Sequence, residues 1–314
     1  MFRSKALFVL ALFLIPSLSF AIVPPEESSE ETLARLEAAI FSRDISTPEL
    51  EAQPSLITIR RAAARSRSEL QRFLALNTDQ WEVRWDTRSD RPNLIQGAGV
   101  PLLPGRGNAL ARSRVGLSTE GPVRTSDVER TVRAFMAEYP ELFKVAQEEL
   151  RLDPKSTVNV GEEGQIWLVE LQQVHKGVPV EGAIAYFRIN NGNLVQFGTD
   201  KIADVRIPTT PRLSREEAFA AVLQAIGSGV SDMTEVVNAG ELKILPMLPA
   251  GEPPAEEYRG VAGNGYRHAL AWEIAFRRAD DPTTFQAWVD ARSGKILQLV
   301  DLNRYAQVTG GIYP

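Results

Sequence analysis

The sequence predicts an α+β fold in which a capped helix runs into an antiparallel meander, and does so twice. Three observations carry that expectation. Ser126-Asp127-Val128-Glu129 and Ser214-Arg215-Glu216-Glu217 share the Ser-x-x-Glu spacing of a capping box, and each opens an apolar stripe of helical period. After each helix come segments of alternating polarity, broken at Lys176-Gly177, Asn190-Asn191-Gly192 and Ser293-Gly294 by residues that tolerate turn geometry. Trp167 and Trp272 sit in corresponding strands 105 residues apart, and the Asn191-Gly192 and Ser293-Gly294 turns are 102 apart. An internal duplication explains the echo. The competing reading is one structural solution reached twice.

The chain opens like an export signal, residues 1–21. Arg3 and Lys5 precede an apolar run from Ala6 to Ile15, and Ser19-Phe20-Ala21 is a small-x-small site, so cleavage is expected after Ala21. An uncleaved anchor is the alternative, but the run is shorter than the roughly 20 residues that span a bilayer. The expected location is extracellular or periplasmic.

Residues 22–80 read as a helical N-terminal extension. Val23–Glu31 is rich in Pro, Ser and Glu; Leu33, Leu36 and Ile40 then mark one helical face over Glu31–Phe41, and Leu70, Phe73 and Leu74 a second within Ile57–Leu76. At Trp81, Val83 and Trp85 the period changes to the alternation of a half-buried strand. Gly97–Thr125, dense in Gly and Pro, predicts extended connections or edge strands.

The first capped helix runs through Val128, Val132, Phe135, Met136 and Tyr139 to a stop at Pro140, and strands are expected at Gln165–Val174, Val178–Ile189 and Asn193–Gly198. The second runs through Phe219, Val222, Leu223 and Ile226 to Gly227, and leads to strands at Leu242–Leu248, His268–Arg277, Phe285–Asp290 and Lys295–Val300.

Composition excludes some functions. The 35 basic and 40 acidic residues form no block of one sign, so neither a nucleic-acid face nor a polybasic membrane patch is implied. The chain has no cysteine, which removes disulfides, thiolate metal sites and a cysteine nucleophile; stability must come from core burial.

Chemistry is sparse. His175 and His268 lack the helical spacing that closes two imidazoles on one zinc ion, and each reads as a turn or edge-strand histidine. Gly105-Arg106-Gly107 and Gly263-Asn264-Gly265 are too short for phosphate loops, and no G-x-S-x-G elbow occurs. Asp280-Asp281-Pro282 reads as a turn, with a calcium site as the minor alternative. Trp167, Tyr186, Phe187, Phe197, Trp272 and Phe285 fall at strand positions that packing explains. Binding is therefore the default class of function.

One stretch, Val169–Ile202, resembles the FTP domain of fungalysin and thermolysin type zinc metallopeptidase prosegments. The resemblance rests on His175-Lys176-Gly177-Val178-Pro179-Val180-Glu181-Gly182 and the following Asn191-Gly192. The capped helix Ser214–Gly227, the Trp272 strand and Val289–Ile296, with Asp290 and Gly294, are similar to a PepSY domain. The resemblance implies an FTP-like domain at 81–210, a PepSY-like domain at 211–301 and a linker at 302–314 into a missing downstream domain. Val308–Pro314 looks like the approach to that domain's first strand.

Such prosegments help the peptidase domain fold, hold it inactive and are removed by proteolysis. The resemblance thus implies a chain that is not itself an enzyme and carries no cofactor. Zinc, with calcium as a second candidate, is expected only in the missing domain, and the partner is that cognate domain in cis, with no nucleic acid and no membrane after signal cleavage. The alternative is a free-standing secreted inhibitor acting in trans. The interface is expected on the strand faces Val169–Phe187 and Phe285–Val300, with His175, Gly177, Val178, Pro179, Val180, Gly192, Trp272, Asp290 and Gly294 as signature or contact residues.

Overall fold

Alternating side chains and glycine turns produce one continuous sheet of thirteen strands, mostly antiparallel, with few helices. This computed structural model describes residues 45–50, 52–59, 67–77, 81–161, 164–252, 257–279 and 281–303, all within one compact unit, Arg43–Pro314. The expected signal peptide, the Glu31–Phe41 helix, Asp280 and the 304–314 part of the linker lie outside the described residues.

The strands are β1 (Ile45–Ser46), β2 (Leu56–Thr58), β3 (Trp81–Asp86), β4 (Arg91–Pro101), β5 (Leu150–Leu152), β6 (Val158–Val160), β7 (Ile166–His175), β8 (Val178–Asn190), β9 (Asn193–Asp200), β10 (Met233–Met247), β11 (Arg267–Arg278), β12 (Asp281–Asp290) and β13 (Ile296–Asp301). The α-helices among the described residues are α1 (Ser68–Leu76), α2 (Thr125–Glu138), α3 (Pro140–Phe143) and α4 (Arg215–Ala225). Their order across the sheet is β1-β13-β12-β11-β10-β8-β9-β4-β3-β2, with β7 on β8 and both β5 and β6 on β7. No described helix is long and apolar enough to cross a membrane.

Three local expectations change. Ile57 belongs not to a helix but to β2, where it pairs with Trp85 of β3; among the described residues of that stretch Ser68–Leu76 is helical, and it buries Leu70, Phe73 and Leu74 as its period required. The Gly- and Pro-dense stretch starts inside the sheet, because β4 pairs with β3 on one edge and with β9 on the other. A register shift between Gln96 and Val100, around Gly99 at φ 105°, lets that strand bend. Helix α2 begins before Ser126: the Asp127 carboxylate accepts the Arg124 backbone N–H at 3.2 Å, while Glu129 turns away to pair with Arg133 at 2.9 Å. The second capping box forms as read. Ser214 Oγ accepts the Glu217 N–H at 3.2 Å, and Glu217 accepts the Ser214 N–H at 2.7 Å.

Burial is concentrated where α1, α2 and α3 cover the sheet. Phe73, Phe135, Phe143, Phe187 and Phe197 lie there with Val128, Val132, Leu142 and Ile95. Helix α4 covers a smaller core of Ala218, Val222, Ile274, Phe276, Phe285, Val289 and Leu299.

Candidate functional site

The signature residues fall in three places. His175, Gly177, Val178, Pro179 and Val180 make the tip and first turn of the β7–β8 hairpin; Gly192 lies in the β8–β9 turn; Trp272, Asp290 and Gly294 belong to the β11–β13 meander.

Both hairpin turns carry successive left-handed residues, Lys176 at φ 50° with Gly177 at 87°, and Asn191 at 48° with Gly192 at 87°. That is the type I′ geometry whose twist matches antiparallel strands. Their surroundings differ. A Cβ on Gly177 would meet open space, whereas one on Gly192 would stand 2.3 Å from the Leu103 carbonyl oxygen. The Gly192 carbonyl accepts the N–H groups of Leu102 and Leu103, both at 2.9 Å, and Gly107 N–H donates to the Asn191 carbonyl at 2.9 Å. Gly105-Arg106-Gly107 is therefore a loop laid on a turn, since a Cβ on Gly105 would sit 2.4 Å from Asn191 O. Gly263-Asn264-Gly265 repeats the device on the β3–β4 connection: Gly265 N–H donates to Arg88 O at 2.9 Å, and a Cβ there would meet the Arg88 Cβ at 2.5 Å.

Asp290 closes its own turn. Its Oδ1 accepts from Arg292 N at 3.0 Å, Ser293 N at 2.7 Å and Ser293 Oγ at 2.8 Å, and Gly294 supplies φ 76°. Trp272, half-buried, donates from Nε1 to Leu213 O at 3.1 Å and so ties the approach to α4 onto β11.

The strands expected to form the interface have little free edge. One edge of β8 carries β7, and the other is divided between β10, at the parallel pair Ile244 with Val180, and β9 from Ile184 onward. Val169, Val180 and Phe187 are fully buried, and β13 is capped by the pair Ile45 with Leu299. The cause is tertiary: Val178–Val180 projects past the hairpin pairing with β9 and meets a strand from 64 residues on, a partner that local alternation cannot announce. Free edges lie elsewhere among the described residues. They include the end strands β1 and β2, the short β5 and β6, the latter with Val158 and Val160 exposed, and the Thr234–Val237 run of β10, where Val236 and Val237 are 45% and 52% exposed.

Two polar clusters stabilise the places where distant segments meet. At the β8–β10 junction, Lys243 Nζ lies 2.7 Å from Glu273 and 3.1 Å from Glu181. Burial alone would lower the ammonium pKa, but these carboxylates outweigh it and hold it above the usual lysine value. Under β3, Asp86 is 2% exposed; its Oδ1 accepts from Ser55 N at 2.9 Å and Arg88 N at 3.0 Å, and its Oδ2 from Ser89 N at 3.3 Å and Tyr266 Oη at 3.1 Å. Arg88, equally buried, pairs with Glu252 and lies over the Tyr258 ring at 5.3 Å. Burial, with Asp86 alongside, pushes the Tyr266 phenol far up, and burial likewise raises the Asp200 carboxyl. These groups gave no sequence signal, because each is an isolated Asp, Arg or Tyr until the fold collects it.

His175 ends β7 directly before the Lys176-Gly177 turn, as the turn reading expected, 9% exposed and with Nδ1 3.2 Å from Glu149 Oε1. His268, the second residue of β11, pairs with Pro246 of β10, ahead of the stretch from Ala271 that pairs with β12. Among the described residues no three His, Asp or Glu side chains converge as a metal site.

No family model and no curated protein matches the chain. Among solved structures it is similar to the Bacillus megaterium YpeB C-terminal domain, at 12% identity, covering 88% of this chain and 98% of that one with a TM-score of 0.30. The two share too little of their paths for that likeness to carry fold or function across.

Proposed function

We propose that this chain is the prosegment of a secreted zinc metallopeptidase precursor, an FTP-like unit at 81–210 followed by a PepSY-like unit at 211–301, and that it acts by binding rather than by bond chemistry. One observation carries the reading. The residues His175–Gly182, Asn191-Gly192, Ser214–Gly227, Trp272 and Val289–Ile296 occur in the order that such prosegments use, behind an export signal.

A preformed sheet can speed a slow partner. Folds rich in non-local contacts lose loop-closure entropy before those contacts form, and a template on the same chain offsets part of that loss. Covalent linkage then holds the inhibitor at an effective concentration on the order of millimolar until cleavage removes it. With both edges of β8 taken, the contact moves in this reading to the free Thr234–Val237 edge of β10, where a partner strand can add by main-chain hydrogen bonds.

The test begins with the reading frame beyond the codon for Pro314. A frame that continues into an HExxH helix allows the peptidase domain to be refolded alone and with residues 1–314 supplied in trans. The prosegment reading expects more folded peptidase and suppressed zinc-dependent activity when the chain is present. A continuing peptidase whose refolding and activity ignore the chain would refute it, and a stop codon there would favour the free-standing inhibitor.

A further inference from the structure

Four segments distant in the chain enclose a cleft of about 300 Å³: the turn Pro48–Leu50, the connection after β9 at Ile207, the end of β10 with the start of β11, and the turn from β12 to β13. Hydrogen bonds tie three of the four together. Thr47 N–H donates to Leu297 O at 2.9 Å, Leu248 N–H to Glu49 O at 2.7 Å, and Ala291 N–H to Leu270 O at 2.8 Å. Asp290 N–H closes the β12–β13 turn on Lys295 O at 2.9 Å. The cleft is thus preformed, and its volume stands at the lower end of what small-molecule sites use.

Most charges on its lining lack partners. Arg267 donates from Nε to Leu248 O at 2.9 Å, which anchors the guanidinium and leaves its two terminal nitrogens as a fork. Among the described residues neither that fork nor the side chains of Arg292 and Lys295 make an ion pair or a hydrogen bond, and the Glu49 carboxylate makes none either. Asp290 differs, since its Oδ1 takes three donors of its own turn. Burial pushes the His268 ring down to about 4, so it adds no charge at pH 7. Three cations against two carboxylates leave the lining with one positive charge. Buried Met247, Leu270 and Leu297, with half-buried Ile207, make the apolar side.

We propose that this cleft binds the carboxylate of a small apolar acid, presented either as a free molecule or as the C-terminal residue of a peptide. Arg267 takes the carboxylate through its fork, the geometry in which guanidinium and carboxylate match. Half-buried Arg292 and exposed Lys295 add attraction from the β12–β13 turn, where water weakens it. The acid's apolar group lies along the Ile207 side. A single net positive charge suits a monoanion, whereas the second charge of a phosphate dianion would be repelled by Glu49 and Asp290. The site rests on these walls and charges and stands independently of the peptidase reading.

The test is titration calorimetry on the full chain at pH 7 and low salt, with N-acetyl-leucine, its carboxamide and N-acetyl-glycyl-glycyl-leucine as probes. Both acids should bind, and the amide about tenfold more weakly or worse, because it lacks the charge. Arg267→Gln should weaken acid binding about tenfold and Lys295→Gln about threefold. Glu49→Gln should strengthen it about threefold, a gain that damaged packing does not produce. A tripeptide bound more tightly than N-acetyl-leucine assigns the cleft to a peptide end, and one bound no more tightly assigns it to a free acid. Should Arg267→Gln fail to fold, Arg292→Gln combined with Lys295→Gln carries the test, with a loss of about tenfold expected. Equal binding of acid and amide, acid affinity indifferent to these substitutions, or no binding of either acid would overturn the proposal.

Discussion

Antiparallel strands follow α2 and again follow α4, and the cores under these two helices differ. Around α2, seven aromatic rings touch in one network: Phe73, Trp81, Phe135, Tyr139, Phe143, Phe187 and Phe197. Around α4 there are three, Phe219 on Phe276 at 5.4 Å and Phe276 stacked on Phe285 at 5.5 Å. The second half makes up part of the difference by lending Ile244, Leu270 and Ala291 to the first core. A similar order of elements, then, does not give an equal core, and the two regions join at the pair of Val180 with Ile244.

The sharpest way to break that comparison is through Phe197, which is fully buried and within 6.5 Å of five other rings. Phe197→Ala should cost about 4 kcal/mol by urea unfolding, against about 2 kcal/mol for the half-buried Phe219→Ala. Equal losses would mean that the cores are not unequal after all.

Next come the two type I′ turns, alike in φ and unlike in surroundings. Gly177→Ala meets only the backbone penalty, about 1 kcal/mol, whereas Gly192→Ala adds a collision with the Leu103 carbonyl and should reach about 3 kcal/mol. Matching thermal shifts for the two variants would show that the 102–108 loop yields freely.

Asp86→Asn asks how much the buried cluster under β3 contributes. The amide places donors against the Ser89 N–H or Tyr266 hydroxyl that Asp86 now accepts, so a loss of about 2 kcal/mol is expected at pH 7, and Tyr266→Phe should lose about 1 kcal/mol. The smallest contrast is at the helix starts. Ser214→Ala removes a formed cap and should lose about 1 kcal/mol, while the exposed Ser126→Ala should stay within about 0.5 kcal/mol in the same denaturation series.

Much of the strand pattern was legible because it is local. Asn191-Gly192 demanded left-handed backbone wherever it fell, and Ser214 with Glu217 closed a cap from four consecutive residues. Around Ser126 two acidic residues offered competing registers, and Asp127, nearer the true start, won. Ile57 looked helical beside Leu70 and Phe73 until β3 offered it a pairing edge. The candidate site was less legible. Val178–Val180 reads as a free hairpin tip, and nothing near it in the chain says that Ile244 will arrive.

By itself the sequence determined the periods, the turns that require glycine, the absence of thiol chemistry and the motif order from which the prosegment reading comes. Tertiary structure alone decided which edges stay open, why Gly105 and Gly265 must lack side chains, where Asp86 finds its donors and that Val180 meets Ile244. Propensity acts over a few residues, whereas edge occupancy and burial are set by segments that the chain brings together from far apart.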